Sequence, residues 1–190
     1  MAASIFTMES ANMICGDSGD ASAPGISTHL EITNLKLPGL EENYVDHTPG
    51  GAPVQIEIPM FQNKLESTFA LAGWNPGVMS MFGSWTRTLM RFTAYGLIRD
   101  RRTGTGLQAL ALFEGRLGRV NPTDFRKSDL MQIEYSIRSI THYECYMQEV
   151  VGQDPAEITF WDFFTSTRRQ GGIDLNAEMN PILAIPSQAT

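Results

Sequence analysis

The chain of 190 residues is poor in cysteine, in histidine and in positive charge. Two cysteines, Cys15 and Cys145, cannot build a disulfide framework, and no C-x-x-C pair offers a zinc or redox site. That count fits a reducing compartment. Fourteen basic residues against 21 acidic ones leave a formal charge of −7, which disfavours holding nucleic acid by phosphate neutralisation. Lys36 is the first basic residue and Glu9 interrupts the early apolar residues, so a signal peptide is not expected. The uncharged run 67–86 is long enough for a membrane span, but Gly73, Asn75, Pro76, Gly77 and Gly83 divide it into strand, turn and short helix. A soluble protein without membrane insertion is expected.

Catalytic signatures are missing too. There is no G-x-S-x-G, no G-x-x-x-x-G-K-[ST] and no H-E-x-x-H. Gly104-x-Gly106 lacks the third glycine and the following helix of a dinucleotide loop, so it reads as a hairpin turn. His142-x-Glu144-Cys145 lacks the P-C-x-x-C of zinc deaminases and reads as alternating strand residues. His29 and His47 have no companions at metal spacing. Arg99, Arg101 and Arg102, like Arg168-Arg169, read as solvating charges rather than a nucleic-acid patch. Neither enzyme activity, metal nor cofactor is expected.

Hydrophobic residues at 42% are enough for a core, and they are arranged mostly with period two. Residues 1–26, small and polar, read as an N-terminal arm that orders only against something else. A strand is predicted from Thr28 to Leu37, ended by Pro38-Gly39, and residues 39–52 read as a long loop. Strands follow over 52–58 and 65–71. Asn75-Pro76 starts a short helix of two to three turns, with Val78, Met81, Phe82, Trp85 and Leu89 as its apolar stripe. A hairpin over 91–99 and 107–119, a loop at 121–129, a long strand from Leu130 to Gln148 and a short one over 158–164 complete the pattern. The expected fold is mainly β, an antiparallel sandwich or barrel-like domain of six to eight strands over 27–176, with one short flanking helix and a C-terminal tail over 177–190.

The order of elements resembles the major tail tube protein of contractile-tailed bacteriophages. The resemblance is carried by Ile32-Thr33-Asn34-Leu35-Lys36-Leu37-Pro38-Gly39-Leu40-Glu41-Glu42-Asn43-Tyr44, by Ala52-Pro53-Val54-Gln55-Ile56, and by Leu71-Ala72-Gly73-Trp74 before the helix. Arg91-Phe92-Thr93-Ala94-Tyr95 with its hairpin, and the strand from Leu130 to Tyr146, continue it. The resemblance implies a tail tube fold in homohexameric rings, stacked into a channel for genome delivery inside a contractile sheath. It also implies partners: further copies of the chain, the tail sheath protein, the tape-measure protein, the baseplate hub and the tail terminator, with DNA passing transiently and without sequence specificity. The implied location is the virion tail tube, assembled in the host cytoplasm. Two alternatives are a tube subunit of a phage-like injection or type VI secretion system and a small-ligand-binding β-barrel module.

Two sets of residues are candidates for such a role. The polar members of alternating strands, Gln55, Glu57, Glu66, Thr68, Gln132, Glu134 and Ser136, are candidates to line a lumen, because a buried core on one face forces them onto the other. An acidic lining would repel phosphate and let DNA slide. The loop residues Glu41, Glu42, Asn43, Tyr44, Val45, Asp46, His47 and Thr48 are candidates for ring stacking, because a long structureless loop is uncommon unless functional.

Overall fold

Period-two alternation becomes strands throughout the computed structural model, which describes residues 5–17, 25–48, 50, 54–83, 89–123, 131–148 and 154–185. In chain order these are β1 (Phe6–Asp17), β2 (Ile26–Ser27), β3 (Ile32–Lys36), β4 (Glu42–His47), β5 (Ile56–Gln62), β6 (Ser67–Ala72), the one-turn helix α1 (Pro76–Met79), β7 (Met90–Asp100), β8 (Gly106–Pro122), β9 (Gln132–Gln148), β10 (Ala156–Asp162), β11 (Thr167–Gln170), β12 (Ile173–Asp174) and the one-turn α2 (Met179–Ile182). Every strand pair is antiparallel. The main sheet runs β12-β11-β10-β9-β8-β7-β1-β2, while β4 and β5 form a separate two-stranded sheet. Among the described residues no sheet closes into a barrel, so the barrel-like expectation applies to the antiparallel character and not to closure of the single chain.

The 17-residue strands β8 and β9 are the spine. Along one edge β9 takes two partners: β6 pairs with Gln132–Ile137, and β10 pairs with residues 142–147. With β3 beyond it, β6 folds over the sheet as a second layer. Between the two partners lies Ser139, in the left-handed region at φ 52. Opposite, β8 shifts register between Glu114 and Arg116 and again between Leu117 and Arg119. Such bulges bend a strand and raise its twist. Gly115 occupies the first shift because a Cβ there would come within 2.9 Å of Ile137 Cγ2 and 3.0 Å of the Arg138 carbonyl oxygen.

The inner face is filled by aromatic residues in register. Cys15, Phe92, Phe113, Tyr143 and Trp161 form one row across β1, β7, β8, β9 and β10. The Phe92 and Phe113 rings stack at 5.7 Å, and Phe113 meets Tyr143 edge-on at 6.5 Å. In the other layer Phe69 stacks on Tyr135 at 4.8 Å, both fully buried. Such cross-strand aromatic pairs add about 0.5–1.5 kcal/mol beyond their burial. Cys15 lies in the core, and burial pushes its thiol up to about 12. It is three strand spacings from Cys145, roughly 14 Å, too far for a bridge within the chain.

Several boundaries differ from the sequence expectation. Residues 6–17, inside the segment predicted as an arm, form β1, which pairs with β7 along nearly its whole length and buries Met13 and Cys15. The polar composition hides this because only those two of its described side chains are fully buried. The predicted loop 39–52 contains β4, half of a hairpin with β5, so 42–47 is regular backbone. Among the described residues twelve strands stand where six to eight are expected, because β1 and β4 come from segments read as arm and loop, β2 and β12 are two-residue pieces, and β11 is a short strand after the predicted one over 158–164. Asn75 does cap α1, its side chain accepting from the Val78 amide at 3.1 Å, but the helix lasts one turn. A second single turn, α2, stands in the tail. Trp85, Ala52, Pro53 and Leu130 lie outside the described residues. Among the described residues no helix is long and apolar enough to cross a membrane.

The account of the core predicts two costs in chemical denaturation. Phe69→Ala should lose about 3–5 kcal/mol of stability through the cavity beneath Tyr135. Gly115→Ala should lose about 1–3 kcal/mol by overpacking against Ile137. Unchanged midpoints would mean that the two layers do not pack as described.

Candidate functional site

Two surfaces stand out because the subunit does not use them internally. The first is the β4–β5 hairpin. Its base is closed by the Asn63 amide donating to the Glu41 carbonyl at 2.7 Å and tethered to β11 by Arg168 donating to Glu42 at 3.1 Å. The register places Val45 opposite Ile58 and His47 opposite Ile56, and a bulge beside Tyr44 brings Phe61 opposite Asn43. Val45, Ile56, Ile58 and Phe61 therefore share one face. They are 49%, 51%, 40% and 61% exposed. The other face carries Tyr44, Pro59 and the directly opposed carboxylates Asp46 and Glu57, a like-charge pair that weakens a ladder. A two-stranded ribbon is at best marginal alone, and this one leaves its apolar face in water.

The eight stacking candidates all belong to this feature. Glu42 to His47 make up β4, while Glu41 precedes it and Thr48 follows it. The structure corrects the conformation of Glu42 to His47, which are strand and not loop.

The second surface is the face of the main sheet turned away from the core. Gln132 and Glu134 are exposed on it, and Thr68 and Glu66 are half-buried beside them. Thr68 stands opposite Ser136, and Ala70 opposite Glu134. Five of the seven lumen candidates are thus brought together. Gln55 and Glu57 are not, because they lie in the segment of the separate hairpin.

Within that group the side chains are unequal. Ser136 is buried, and its hydroxyl donates to Glu66 Oε1 at 2.7 Å. Arg138 donates to the same oxygen from Nη2 at 3.2 Å. The Ser136 hydroxyl first, with Arg138 assisting, holds the Glu66 carboxyl below its usual range, and burial opposes them. Arg119 stands opposite Ser136 on the β8 side, and Arg116 opposite Arg138. The face is therefore mixed in charge, whereas reading each strand separately predicts an acidic one. Cross-strand neighbours such as Arg119 and Arg116 are invisible until the register is known.

A groove of about 540 Å³ lies between β3 and the β1–β7–β8 face, lined by Leu35, Leu37, Ala94, Gly96 and Ala111 among others. It is open to solvent and no barrel encloses it, so it lacks the enclosed cavity that a ligand-carrying barrel requires. Among the described residues no group of three or more His, Cys, Asp or Glu could hold a metal ion.

A pair of charge reversals tests the inequality of the two acids. Glu66→Lys should cost about 1–3 kcal/mol, because the buried Ser136 hydroxyl loses its acceptor and Arg138 meets a like charge. Glu134→Lys should stay within about 0.5 kcal/mol. Equal thermal shifts for the two variants would contradict the assignment.

Comparison with known families gives a match along most of the chain: the model described as "Phage tail tube protein FII" covers residues 23–183. No curated protein matches the chain.

Proposed function

The chain belongs to the phage tail tube protein FII family, a structural and not an enzymatic family of tail tube subunits of the virion tail, and from that premise we propose how this subunit builds its tube. Six copies form a ring, rings stack, and the resulting channel carries the genome inside a contractile sheath. Self-assembly with tail components follows from the family. The particular partners are the sheath outside, the tape-measure protein within the channel before DNA passes, and the baseplate hub and tail terminator at the two ends. The ring removes the edges that the open main sheet presents at β1–β2 and β11–β12, since closure is how a sheet disposes of unpaired edges.

The observation that carries the stacking role is the β4–β5 hairpin. It projects as its own sheet, and Val45, Ile56, Ile58 and Phe61 have no internal partner that would bury them. Each is 40–61% exposed, so full cover by the neighbouring ring would gain about half of the 1.5–3 kcal/mol expected for a wholly exposed side chain. The polar face around Gln132, Glu134 and Thr68 supplies the channel wall. Its interspersed arginines keep it from being uniformly repulsive, while Glu134, exposed and opposite Asn121 and not a cation, remains available to oppose phosphate.

Ile58→Asp combined with Phe61→Asp tests the hairpin. The double variant should fold with a wild-type circular dichroism spectrum and melting temperature, because neither side chain belongs to the core, yet give no stacked tubes in negative-stain micrographs. Tubes of normal length from this variant would overturn the proposal.

A further inference from the structure

His142 lies on the same outward face, away from the Gln132–Glu134 group, and its surroundings are unusual. Arg91 of β7, Glu114 of β8, His142 of β9 and Asp162 of β10 stand in one row across the sheet, on the face away from the core. The charges along that row alternate only when the imidazole is protonated. Two residues on, Glu144 projects from the same face of β9.

Both ring nitrogens are taken by acids. Nδ1 lies 2.8 Å from Asp162 Oδ2 and Nε2 lies 2.7 Å from Glu144 Oε1. The three side chains are only 21%, 18% and 20% exposed, so water competes little for these bonds. A neutral imidazole has one N–H and one lone pair, and the lone pair would face a carboxylate; only the imidazolium donates at both ends. The ring edge also rests on Phe160, 5.3 Å away, whose face is covered by the Arg169 guanidinium at 4.0 Å. Arg169 is in turn paired with Glu157 at 2.8 Å, and the Tyr146 hydroxyl donates to Glu144.

What this arrangement holds is the turn after β10. The second Asp162 oxygen accepts the Thr165 amide at 2.8 Å, and the Phe163 amide donates to the Thr141 carbonyl at 2.8 Å. Ser166 closes the turn at φ 50, a conformation that costs a non-glycine residue energy and persists only where its surroundings enforce it. The Ser166 carbonyl then accepts from Asn176 and Asn180, which docks the segment leading into α2. Phe163 and Phe164 sit on the same turn, 64% and 74% exposed. The chain of contacts therefore runs from one imidazole to a strained turn, two exposed phenyl rings and the C-terminal segment.

We propose that His142 is a protonation-dependent latch: as an imidazolium it ties β9 to β10 and fixes the turn at 163–166 with the segment docked on it, and on losing its proton it lets them open. The electrostatics agree in sign. The Glu144 carboxylate raises the imidazole above its ordinary range, with burial opposing and Asp162 assisting. The stability it supplies is present below the usual imidazole range and is lost as pH rises through the raised value. At the acid side His142 lowers Glu144 against the opposing burial, and in Asp162 burial is outweighed by the Thr165 amide and His142. Their contribution is lost as pH falls through those lowered values. The latch is shut in the window between.

Mass-spectrometric exchange measures both halves on the full chain, assembled or not, and so does not depend on the tube reading. Exchange at histidine C2 reports the titration of His142. Amide exchange over 162–166, corrected for base catalysis, reports opening of the turn. His142 should titrate above the ordinary imidazole range, and corrected amide exchange should rise about tenfold across the same pH interval. H142Q should abolish that rise, because glutamine does not titrate. His142 titrating at or below the ordinary imidazole range, or no opening coincident with its titration, would overturn the latch, as would an unchanged alkaline rise in H142Q. Should that variant fail to fold, the two wild-type curves decide alone.

Discussion

The β8–β9 ladder is the constraint on which the rest depends. Two strands of 17 residues are held in register except at two shifts, and β6, β7 and β10 pair with them directly. Because side chains alternate, that register puts Phe113 and Tyr143 on the core face and Glu114 and His142 on the other. The bends at Gly115 and Ser139 let one edge of β9 serve β6 and β10 in turn. The first of these pairings sets Phe69 beside Tyr135 in the core and brings Glu66 within reach of Ser136 on the polar face.

The two faces then have different fates. The inner face satisfies itself within one chain, through aromatic rows and a buried β1. The hairpin does not. Its apolar residues gain nothing from the subunit that carries them, which is intelligible if the folded unit of selection is the assembled tube rather than the monomer.

Much of this was legible in the sequence, for identifiable reasons. Alternation from Met131 to Ile137 is strict because one face is buried and the other wet, so β9 and its faces follow from period alone. Asn75-Pro76 announces a helix start with chemistry that needs no tertiary context. The β1 strand escapes notice because long-range pairing with β7 supplies its stability, and Gly16, Ser10 and Asn12 lower its apparent propensity. The β4 strand escapes because neither face is buried, leaving no contrast for periodicity to show. Charge pairing across strands, such as Arg119 beside Ser136 or His142 beside Asp162, depends on register, which a single strand does not encode.

The central claim is that a subunit with a self-contained core uses its separate hairpin to join rings and its polar sheet face to line the channel. A density map of the assembled tube at side-chain resolution tests this most directly. It should show β4–β5 crossing to the next ring with Val45, Ile56, Ile58 and Phe61 covered by the neighbour, and Gln132 and Glu134 facing the lumen. A hairpin left in solvent, or Gln132 and Glu134 on the outside of the tube, would contradict the account.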